Sequence, residues 1–360
     1  MTTNSQTRLI KNVAIKGVAC AVPESVSEVV SLSDHFELES IEKIIGSTGV
    51  ERRHVVEAEC SSDLCVAAAE RLISDLNIDR ATIDTLIFVS QTHDFTLPAT
   101  ACVLQQRLSL PMHTAAFDVA LGCSGYVYGL WLASSLLSGG GSKRVLLLVG
   151  DTISKTASPT DRSVAALFGD AGTATLLDFD ASALPIPFVL GTDGRGAKNL
   201  IVPAGGFRDR TGQSSETSEE GVRGPYDLYM NGAEIFAFTL ARVPGLVAAL
   251  HEANELSALE IDHYVFHQAN KFMLDHLVKR MKLPREKVIL DVKNVGNTSC
   301  ASIPLALCLH QGQEGGSMSG RFMLAGFGVG YSWAGCVAVF NNVWVSPLTI
   351  TSNRVNTGAL

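Results

Sequence analysis

The sequence predicts an α/β fold that is built from two related halves. Short apolar runs, typical of buried strands, alternate along the chain with apolar-periodic stretches that are typical of helices. The order strand, turn, helix, strand occurs around Cys123 and again around His267 and Asn297. With 46% hydrophobic and 18% charged residues among 360, the chain is long and apolar enough for a large core. We place the two halves at residues 1–180 and 181–360.

The individual elements follow from the same periodicities. The first half is predicted to contain strands at residues 13–18, 85–90, 117–121 and 144–150 and helices at residues 61–76, 99–108 and 127–137. The second half is predicted to contain strands at residues 263–267 and 321–326 and helices at residues 233–250, 271–282 and 302–310. Ser61 or Ser62 is the expected N-cap of the first helix. Residues 205–224 are expected to form an exposed loop, and residues 346–360 an irregular tail.

Charge and cysteine usage argue against several classes of protein. A formal net charge of −8 disfavours a nucleic-acid-binding protein. The eight cysteines form no C-x-x-C pair and no cluster with zinc spacing, which indicates a reducing compartment and no metal site. The N-terminus is polar, and we expect no apolar run to reach the roughly 20 residues of a membrane span. We therefore expect a cytoplasmic protein that binds neither nucleic acid nor membrane.

Cys123 is the strongest candidate for a functional residue. It lies in a Gly-Cys-Ser-Gly turn between a predicted strand and a predicted helix. The dipole and the free N–H groups of a helix N-terminus favour the thiolate, which is the nucleophilic form of cysteine. Small neighbouring residues let a substrate carbonyl approach the sulfur closely. A buried structural cysteine is the alternative, but the position in the turn favours a nucleophile.

His267 and Asn297 are the candidate partners of that nucleophile. His267 ends an apolar strand and is followed by polar Gln268 and Asn270, a pattern typical of residues that line a site. Its imidazole can donate an N–H to a thioester oxygen or accept the thiol proton. Asn297 stands in a glycine turn before a helix, where the alternative role is that of an N-cap. Together the three residue types indicate acyl-thioester chemistry.

The glycine-rich segment at residues 326–330 has the spacing of a phosphate loop but not its context. A strand rather than a helix is predicted to follow it, so the segment does not favour nucleotide binding. We interpret it as a loop whose backbone N–H donates to an oxyanion.

Six segments, in the family's order, resemble the type III β-ketoacyl-acyl-carrier-protein synthases of the thiolase superfamily. The resemblance extends from about residue 10 to residue 340 and so covers nearly the whole chain. The segments are D-V-A-L-G-C-S-G at 118–125, P-T-D-R at 159–162, F-G-D-A-G at 168–172, H-Q-A-N at 267–270, G-N-T-S at 296–299 and G-F-G-V-G-Y-S-W at 326–333. The resemblance implies a five-layered α-β-α-β-α thiolase-like fold, a homodimer and an acyltransferase activity.

The resemblance also implies a mechanism that needs no metal or redox cofactor. Cys123 would take an acyl group from acyl-CoA or an acyl carrier protein, and malonyl-acyl carrier protein would supply the extender for a decarboxylative Claisen condensation. His267 and Asn297 would hydrogen-bond to the malonyl thioester oxygen and stabilise the enolate. The β-ketoacyl product would serve fatty-acid or specialised acyl biosynthesis. The implied oxyanion donors are the backbone N–H groups of Cys123, Gly328, Val329 and Gly330.

The family's contacts to the carrier arm are only partly kept. Arg162 and Asn270 match residues that contact the coenzyme A or phosphopantetheine arm. Lys43 and Ser47 stand where the family has an adenine-stacking Trp and an Arg, so we expect weaker coenzyme A binding or an acyl-carrier-protein donor. Val329 replaces the middle of three glycines, and a β-branched residue restricts the backbone of the oxyanion loop.

Two further surfaces are implied by the resemblance. Phe95 and Leu97 match the acyl-pocket wall, which comes from the partner subunit in these dimers, and we expect one of them to limit acyl length. An acidic carrier protein would dock on a basic helix. The alternatives are an ordinary loop hydrophobe and a solvated helix face. The predicted docking residues are Lys271, Lys279, Arg280 and Lys282.

Two other functions stay open from the sequence. An acyltransferase on the same fold would pass the acyl group from Cys123 to an alcohol or amine, with His267 as the base. A non-catalytic partner subunit of a heterodimeric synthase would not become acylated. A degradative thiolase is disfavoured because it needs a second catalytic cysteine near the C-terminus, and Cys336 is predicted to lie in a core strand.

Overall fold

The computed structural model describes residues 6–212, 216–218 and 221–352. The strands are β1 (Thr7–Ile10), β2 (Val13–Pro23), β3 (Val26–Glu28), β4 (Arg52–His54), β5 (Thr85–Val89), β6 (Ala115–Val119), β7 (Arg144–Asp151), β8 (Ala171–Phe179), β9 (Ile186–Thr192), β10 (Leu200–Ile201), β11 (Glu216–Ser218), β12 (Gly221–Arg223), β13 (Tyr229–Met230), β14 (His263–Phe266), β15 (Val288–Ile289), β16 (Gly316–Gly328), β17 (Ser332–Val345) and β18 (Thr349–Thr351). The α-helices are α1 (Leu38–Thr48), α2 (Ser61–Asp75), α3 (Thr100–Arg107), α4 (Gly125–Ser138), α5 (Gly232–Asn254), α6 (Lys271–Met281) and α7 (Ser302–Gln311).

Two sets of five strands share one topology. The spatial order is β2–β8–β7–β5–β6 in the first set and β9–β17–β16–β14–β15 in the second. Counted in chain order, the first strand of each set (β2 or β9) pairs antiparallel with the fifth (β8 or β17). The fifth strand pairs antiparallel with the fourth (β7 or β16), and the remaining pairs are parallel. Trp344 and Val345 pair with β2 and join the sets into one continuous sheet. The residue boundary of the halves, 1–180 and 181–360, stays a prediction.

Helices cover both strand sets and fill the space between them. Tyr126 of α4 and Ile303 of α7 share a central core with Ile87 and Leu324, which come from the first and the second set. The outer face of the first set packs against α2 and α3, and the outer face of the second set packs against α5 and α6. The layers therefore run α, β, α, β, α, which confirms the predicted fold class.

The apolar runs in the sequence reflect strands that are buried on both faces. Side chains of β5 alternate between two cores, because successive residues of a strand point to opposite faces. Leu86 and Phe88 pack with the outer helices, whereas Ile87 and Val89 pack in the central core. A strand between two helical layers has no polar face, and its sequence is continuously apolar.

Three local expectations need correction. α2 is capped at Cys60, not at Ser61 or Ser62, because the Asp63 carboxylate accepts the Cys60 amide N–H at 2.7 Å. The C-terminal tail is not wholly irregular, since β18 pairs with β2. The expected loop at 205–224 contains the short hairpin of β11 and β12. Residues 213–215, 219–220 and 353–360 of the loop and the tail lie outside the described residues.

α5 is long and apolar enough to cross a membrane, by length and composition alone. The expectation that no segment reaches this length is therefore wrong for α5. Val243, Leu246 and Leu250 of this helix are buried in the core beside the second strand set. We read α5 as a core helix, a kind of helix that can pass the same test.

Candidate active site between the two halves

The candidate residues come together at the carboxyl ends of the two strand sets. Cys123 lies in the turn between β6 and α4, and Asn297 lies in the corresponding turn between β15 and α7. His267 directly follows β14. All three side chains line one cavity of about 80 Å³, which we call the triad cavity. The structure thus brings together three residues that the sequence placed at strand ends and turns.

Two glycines of β16 let this strand approach Cys123 closely. Cys123 is buried, with 8% of its surface exposed. A Cβ atom at Gly328 would lie 2.7 Å from the Cys123 Sγ, and one at Gly326 would lie 2.7 Å from the Cys123 carbonyl oxygen. Only glycine fits at these two positions while Cys123 keeps its place. The predicted glycine loop therefore begins inside a strand, and its first three residues belong to β16.

Burial raises the pKa of the Cys123 thiol to about 11. A hydrogen bond from the Val329 amide lowers the pKa, the charge of Asp151 raises it, and the Cys123 amide and the Ser299 side chain lower it less strongly. Burial outweighs the backbone donors, so the thiol is neutral at pH 7. The backbone donors lower the pKa of the thiol, in the direction expected at a helix N-terminus, but burial has the larger effect.

Burial has the opposite effect on His267, because it disfavours the charged form of a base. It lowers the pKa of His267 to about 4, although a backbone group of Ser299 acts in the other direction. Nδ1 of the ring lies 2.7 Å from the Ser302 Oγ, and the Phe327 ring packs nearly perpendicular to the imidazole. The imidazole is therefore neutral at pH 7, and Nε2 is the nitrogen left for the triad cavity.

Asn297 is held by hydrogen bonds on its backbone and its side chain. Its N–H donates to the Leu167 carbonyl at 2.9 Å, and its carbonyl accepts the Gly169 N–H at 3.1 Å. Its Oδ1 accepts the Ser299 N–H at 2.9 Å, which leaves the Nδ2 amide as the group that can donate into the cavity. Asn297 is not the N-cap of α7, because Ala301 holds that position.

A second cavity of about 330 Å³ also reaches Cys123, and we call it the apolar cavity. Ile153, Leu200 and Leu228 contribute apolar wall to it, while Gln91 and Thr92 contribute polar groups. Cys123 lines both cavities. It therefore adjoins a space with hydrogen-bond donors and a space suited to a hydrocarbon chain.

Comparison with known proteins identifies the family. The model for 3-oxoacyl-[acyl-carrier-protein (ACP)] synthase III matches residues 117–194, and the model for its C-terminal part matches residues 251–340. The chain is 35% identical over 352 residues to a putative 3-oxoacyl-[acyl-carrier-protein] synthase 3 of Campylobacter jejuni, covering 93% of this chain and 96% of that protein. The chain belongs to the 3-oxoacyl-[acyl-carrier-protein] synthase III family.

Two other synthases support this assignment along nearly the whole chain. The β-ketoacyl-[acyl-carrier-protein] synthase III of Lactococcus lactis is 35% identical over 322 residues, covering 89% of this chain and 96% of that protein. A crystal structure of a 3-oxoacyl-(acyl-carrier protein) synthase from Burkholderia xenovorans LB400 matches with a TM-score of 0.91. It is 41% identical, and the match covers 96% of this chain and 99% of that one. The fold and the family expected from the sequence are confirmed.

The four backbone N–H groups predicted as oxyanion donors in this synthase III chain differ in their relation to the Cys123 sulfur. Backbone groups of Val329 and Cys123 lower the pKa of the thiol, a Cβ atom at Gly328 would lie 2.7 Å from the sulfur, and Gly330 follows two residues later in the chain. A Cβ atom at Gly122 would lie 2.8 Å from Cγ1 of Val329. The β-branched residue fits in the synthase loop because the residue before Cys123 is glycine.

Of the two residues of the synthase that are predicted to contact the carrier arm, one lies at the triad cavity and the other does not. Asn270 lines the triad cavity, and its Oδ1 also caps α6 by accepting the Met273 N–H at 2.8 Å. Arg162 is exposed and lines neither cavity. On α1, Lys43 forms an ion pair with Glu39, and the Ser47 hydroxyl donates to a carbonyl of its own helix. The roles of these residues in the synthase stay predictions.

The predicted pocket wall and docking patch lie at the surface. Phe95 and Leu97 are 38% and 77% exposed and line neither cavity within one chain. The basic residues of the docking prediction are exposed on α6 or at its end, and Lys271 forms an ion pair with Asp275. No contact in the structure tests either assignment. The residues of the patch are Lys271, Lys279, Arg280 and Lys282.

Sequence reasoning missed two residues that support the synthase site. Ser302 contacts His267, and nothing in the local pattern distinguishes it from other serines at helix starts. Asp151 is fully buried at the end of β7, and its Oδ1 accepts the N–H groups of Gln91 and Thr92 at 2.7 Å and 3.2 Å. It thereby fixes the wall of the apolar cavity. A carboxylate directly after an apolar strand was a usable signal.

Within the described residues, no group of three or more His, Cys, Asp or Glu side chains could hold a metal ion.

Proposed function

We propose that this chain is a condensing enzyme that joins an acyl group to a malonyl unit. Cys123 takes the acyl group from acyl-CoA or an acyl carrier protein, and malonyl-acyl carrier protein then reacts with loss of CO2. The proposal rests above all on one observation: a buried cysteine, Cys123, lines two cavities. One cavity has the His267 and Asn297 donors, and the other has an apolar wall.

The first step transfers the acyl group to sulfur. The Cys123 sulfur attacks the thioester carbonyl, the bond from that carbonyl to the carrier sulfur breaks, and the thiol proton ends on the carrier sulfur. The amides of Val329 and Cys123 donate to the oxyanion that forms. The hydrocarbon chain of the acyl group occupies the apolar cavity, and the carrier arm leaves through the triad cavity.

The second step forms the carbon–carbon bond. The malonyl thioester oxygen accepts hydrogen bonds from His267 and Asn297, so that the electrons released with CO2 can move into an enolate. The enolate carbon attacks the acyl carbonyl, the bond to Cys123 breaks, and the sulfur takes a proton from solvent. Both steps use only side chains and backbone amides of this chain, and we propose that coenzyme A or phosphopantetheine thioesters are substrates rather than resident cofactors.

The state of His267 favours condensation over simple acyl transfer. An acyltransferase would need His267 to take a proton from an alcohol or amine, but a base with a pKa of about 4 is weakly basic at neutral pH. A neutral donor is what an enolate oxygen requires. The names of the relatives as β-ketoacyl-acyl-carrier-protein synthases support the same choice.

We also propose that two copies of the chain form a cytoplasmic homodimer. Phe95 and Leu97 expose apolar surface in one chain and would be covered by a second copy, where they would meet its apolar cavity. The basic patch on α6 would receive the acidic carrier protein, because opposite charges speed the encounter of two proteins.

The test measures both steps on the same protein. Acyl-CoA and acyl-acyl-carrier-protein donors of different length are added, and intact-protein mass spectrometry follows the adduct; malonyl-acyl carrier protein is added next, and CO2 and product are measured. We expect an adduct on the wild type, none on Cys123→Ala, and release of CO2 with a β-ketoacyl product. An adduct without CO2 release would indicate an acyltransferase. No adduct with any donor would indicate a non-catalytic subunit.

A further inference from the structure

We propose that Ser302 is a positioning residue that holds His267 in the tautomer with the proton on Nε2. The consequence for catalysis rests on the proposed function, whereas the tautomer itself can be measured without it. Ser302 begins α7, the helix that follows the Asn297 turn, and 2% of its surface is exposed. The helix that follows the Asn297 turn therefore contacts His267 through Ser302.

The hydrogen bonds around Ser302 leave one acceptor for its hydroxyl proton. Its Oγ accepts the backbone N–H of Gln268 at 3.3 Å and lies 2.7 Å from Nδ1 of His267. A serine hydroxyl has one proton to donate, and a buried hydroxyl nearly always donates it. Within the described part of the chain, Nδ1 is the only acceptor in reach of this hydroxyl. The hydroxyl therefore donates to the Nδ1 lone pair, and the ring proton must sit on Nε2.

The backbone of Ser299 is the competing influence on the ring. It favours a proton on the imidazole, but it makes no hydrogen bond of ordinary geometry with either ring nitrogen among the described residues. The short contact to Ser302 is the stronger of the two, because a hydrogen bond weakens steeply when its geometry is poor. The Ser302 hydroxyl therefore sets the tautomer.

This tautomer limits what His267 can do. With its proton on Nε2, the ring donates to an oxygen in the triad cavity beside the Nδ2 amide of Asn297, and both groups are donors. The same ring has no lone pair on Nε2 and cannot accept a proton there. The Ser302 contact thus commits the site to holding an oxyanion and works against base catalysis by His267.

The decisive measurement is histidine nitrogen NMR on the whole protein. Protein labelled with ¹⁵N at histidine is compared with the His267→Gln variant, which identifies the two ring signals of His267 among nine histidines. We expect the wild type to show a protonated Nε2 and a bare Nδ1. A protonated Nδ1 in the wild type would overturn the proposal. Loss of the strict Nε2–H form in Ser302→Ala, and its return in Ser302→Thr, would support it.

Kinetics show whether the tautomer matters for the reaction. We expect Ser302→Ala to lower the rate of CO2 release from malonyl-acyl carrier protein roughly tenfold or more, by analogy with the loss of groups that orient a metal-bound histidine. Ser302→Thr keeps the hydroxyl and should recover most of the rate. The control is Ser134→Ala on α4, which removes a fully buried hydroxyl that has no hydrogen-bond partner in the described structure.

The two experiments separate this inference from the proposed function. If the wild type releases no CO2 while NMR shows the Nε2–H form, the condensing function fails and the tautomer assignment stands. If the wild type condenses but Ser302→Ala behaves like Ser134→Ala in both measurements, the function stands and the role of Ser302 is refuted.

Discussion

The turn with Cys123 and the turn with Asn297 occupy the same place in the two halves of the molecule. The first joins β6 to α4, the second joins β15 to α7, and both helices contribute side chains to the central core. Yet one turn presents a sulfur and the other an amide. The repeated topology supplies two loops at one edge, and in the proposed mechanism the side chain of each loop decides whether it attacks or stabilises.

The two turns are also held in place by different means. Beside Cys123, the glycines of β16 stand where no side chain larger than a hydrogen atom fits. Steric contact therefore fixes the position of the sulfur. Hydrogen bonds to Leu167 and Gly169 fix the backbone of Asn297, and the Ser299 amide fixes its side chain. A change at the first turn should therefore act on acylation, and a change at the second should act on decarboxylation.

The largest effect is expected from Asn297→Ala. Removing one of two donors to the enolate oxygen should slow CO2 release from malonyl-acyl carrier protein by about 10²–10³-fold. Acylation of Cys123, followed by intact-protein mass spectrometry, should continue, because the proposed acylation step uses the amides of Val329 and Cys123 and not the Asn297 side chain. The matched control is Asn254→Ala at the end of α5. Equal loss of both steps in Asn297→Ala would show that the two turns do not act separately.

Gly328→Ala tests the other turn. The added Cβ atom would lie 2.7 Å from the Cys123 Sγ, so the thiol or β16 must shift. A displaced nucleophile should slow acylation by about 100-fold. The control is Gly46→Ala in α1, where a Cβ atom meets nothing within 4 Å. Acylation at the wild-type rate in Gly328→Ala would mean that the loop moves freely and that sterics do not hold the sulfur.

The two turns also differ in how much of them the sequence could reveal. Cys123 was predictable because a strand, a tight glycine turn and a helix are local signals, and His267 because polar residues follow an apolar strand. The burial of both was not, and burial of the thiol outweighs the backbone donors that favour the thiolate. Ser302 could not be inferred either, since its role depends on a contact with a residue 35 positions away in the chain.

The strands that complete each set also could not be predicted from the sequence. β8 and β9 were not predicted, and the matching order of the two sets became visible only when their partners were known. Strand pairing across a long connection leaves no periodicity of its own in the sequence. The pattern of elements predicted an α/β fold of two related halves, whereas the five-layered order was implied only by the six family segments.

The last comparison concerns protonation, because burial makes both the sulfur and the imidazole neutral. With a pKa of about 11 for Cys123, alkylation by iodoacetamide should accelerate about tenfold per pH unit between about pH 7 and pH 9, as the thiolate fraction grows. The Cys123→Ala variant corrects for the reaction of exposed Cys102. A plateau in alkylation above about pH 7 would show a stabilised thiolate.

The pKa of His267, lowered to about 4, predicts no loss of CO2 release from imidazole protonation as pH falls from 8 to 6. A step in CO2 release near the ordinary histidine pKa, absent from His267→Gln, would show that the ring is not desolvated.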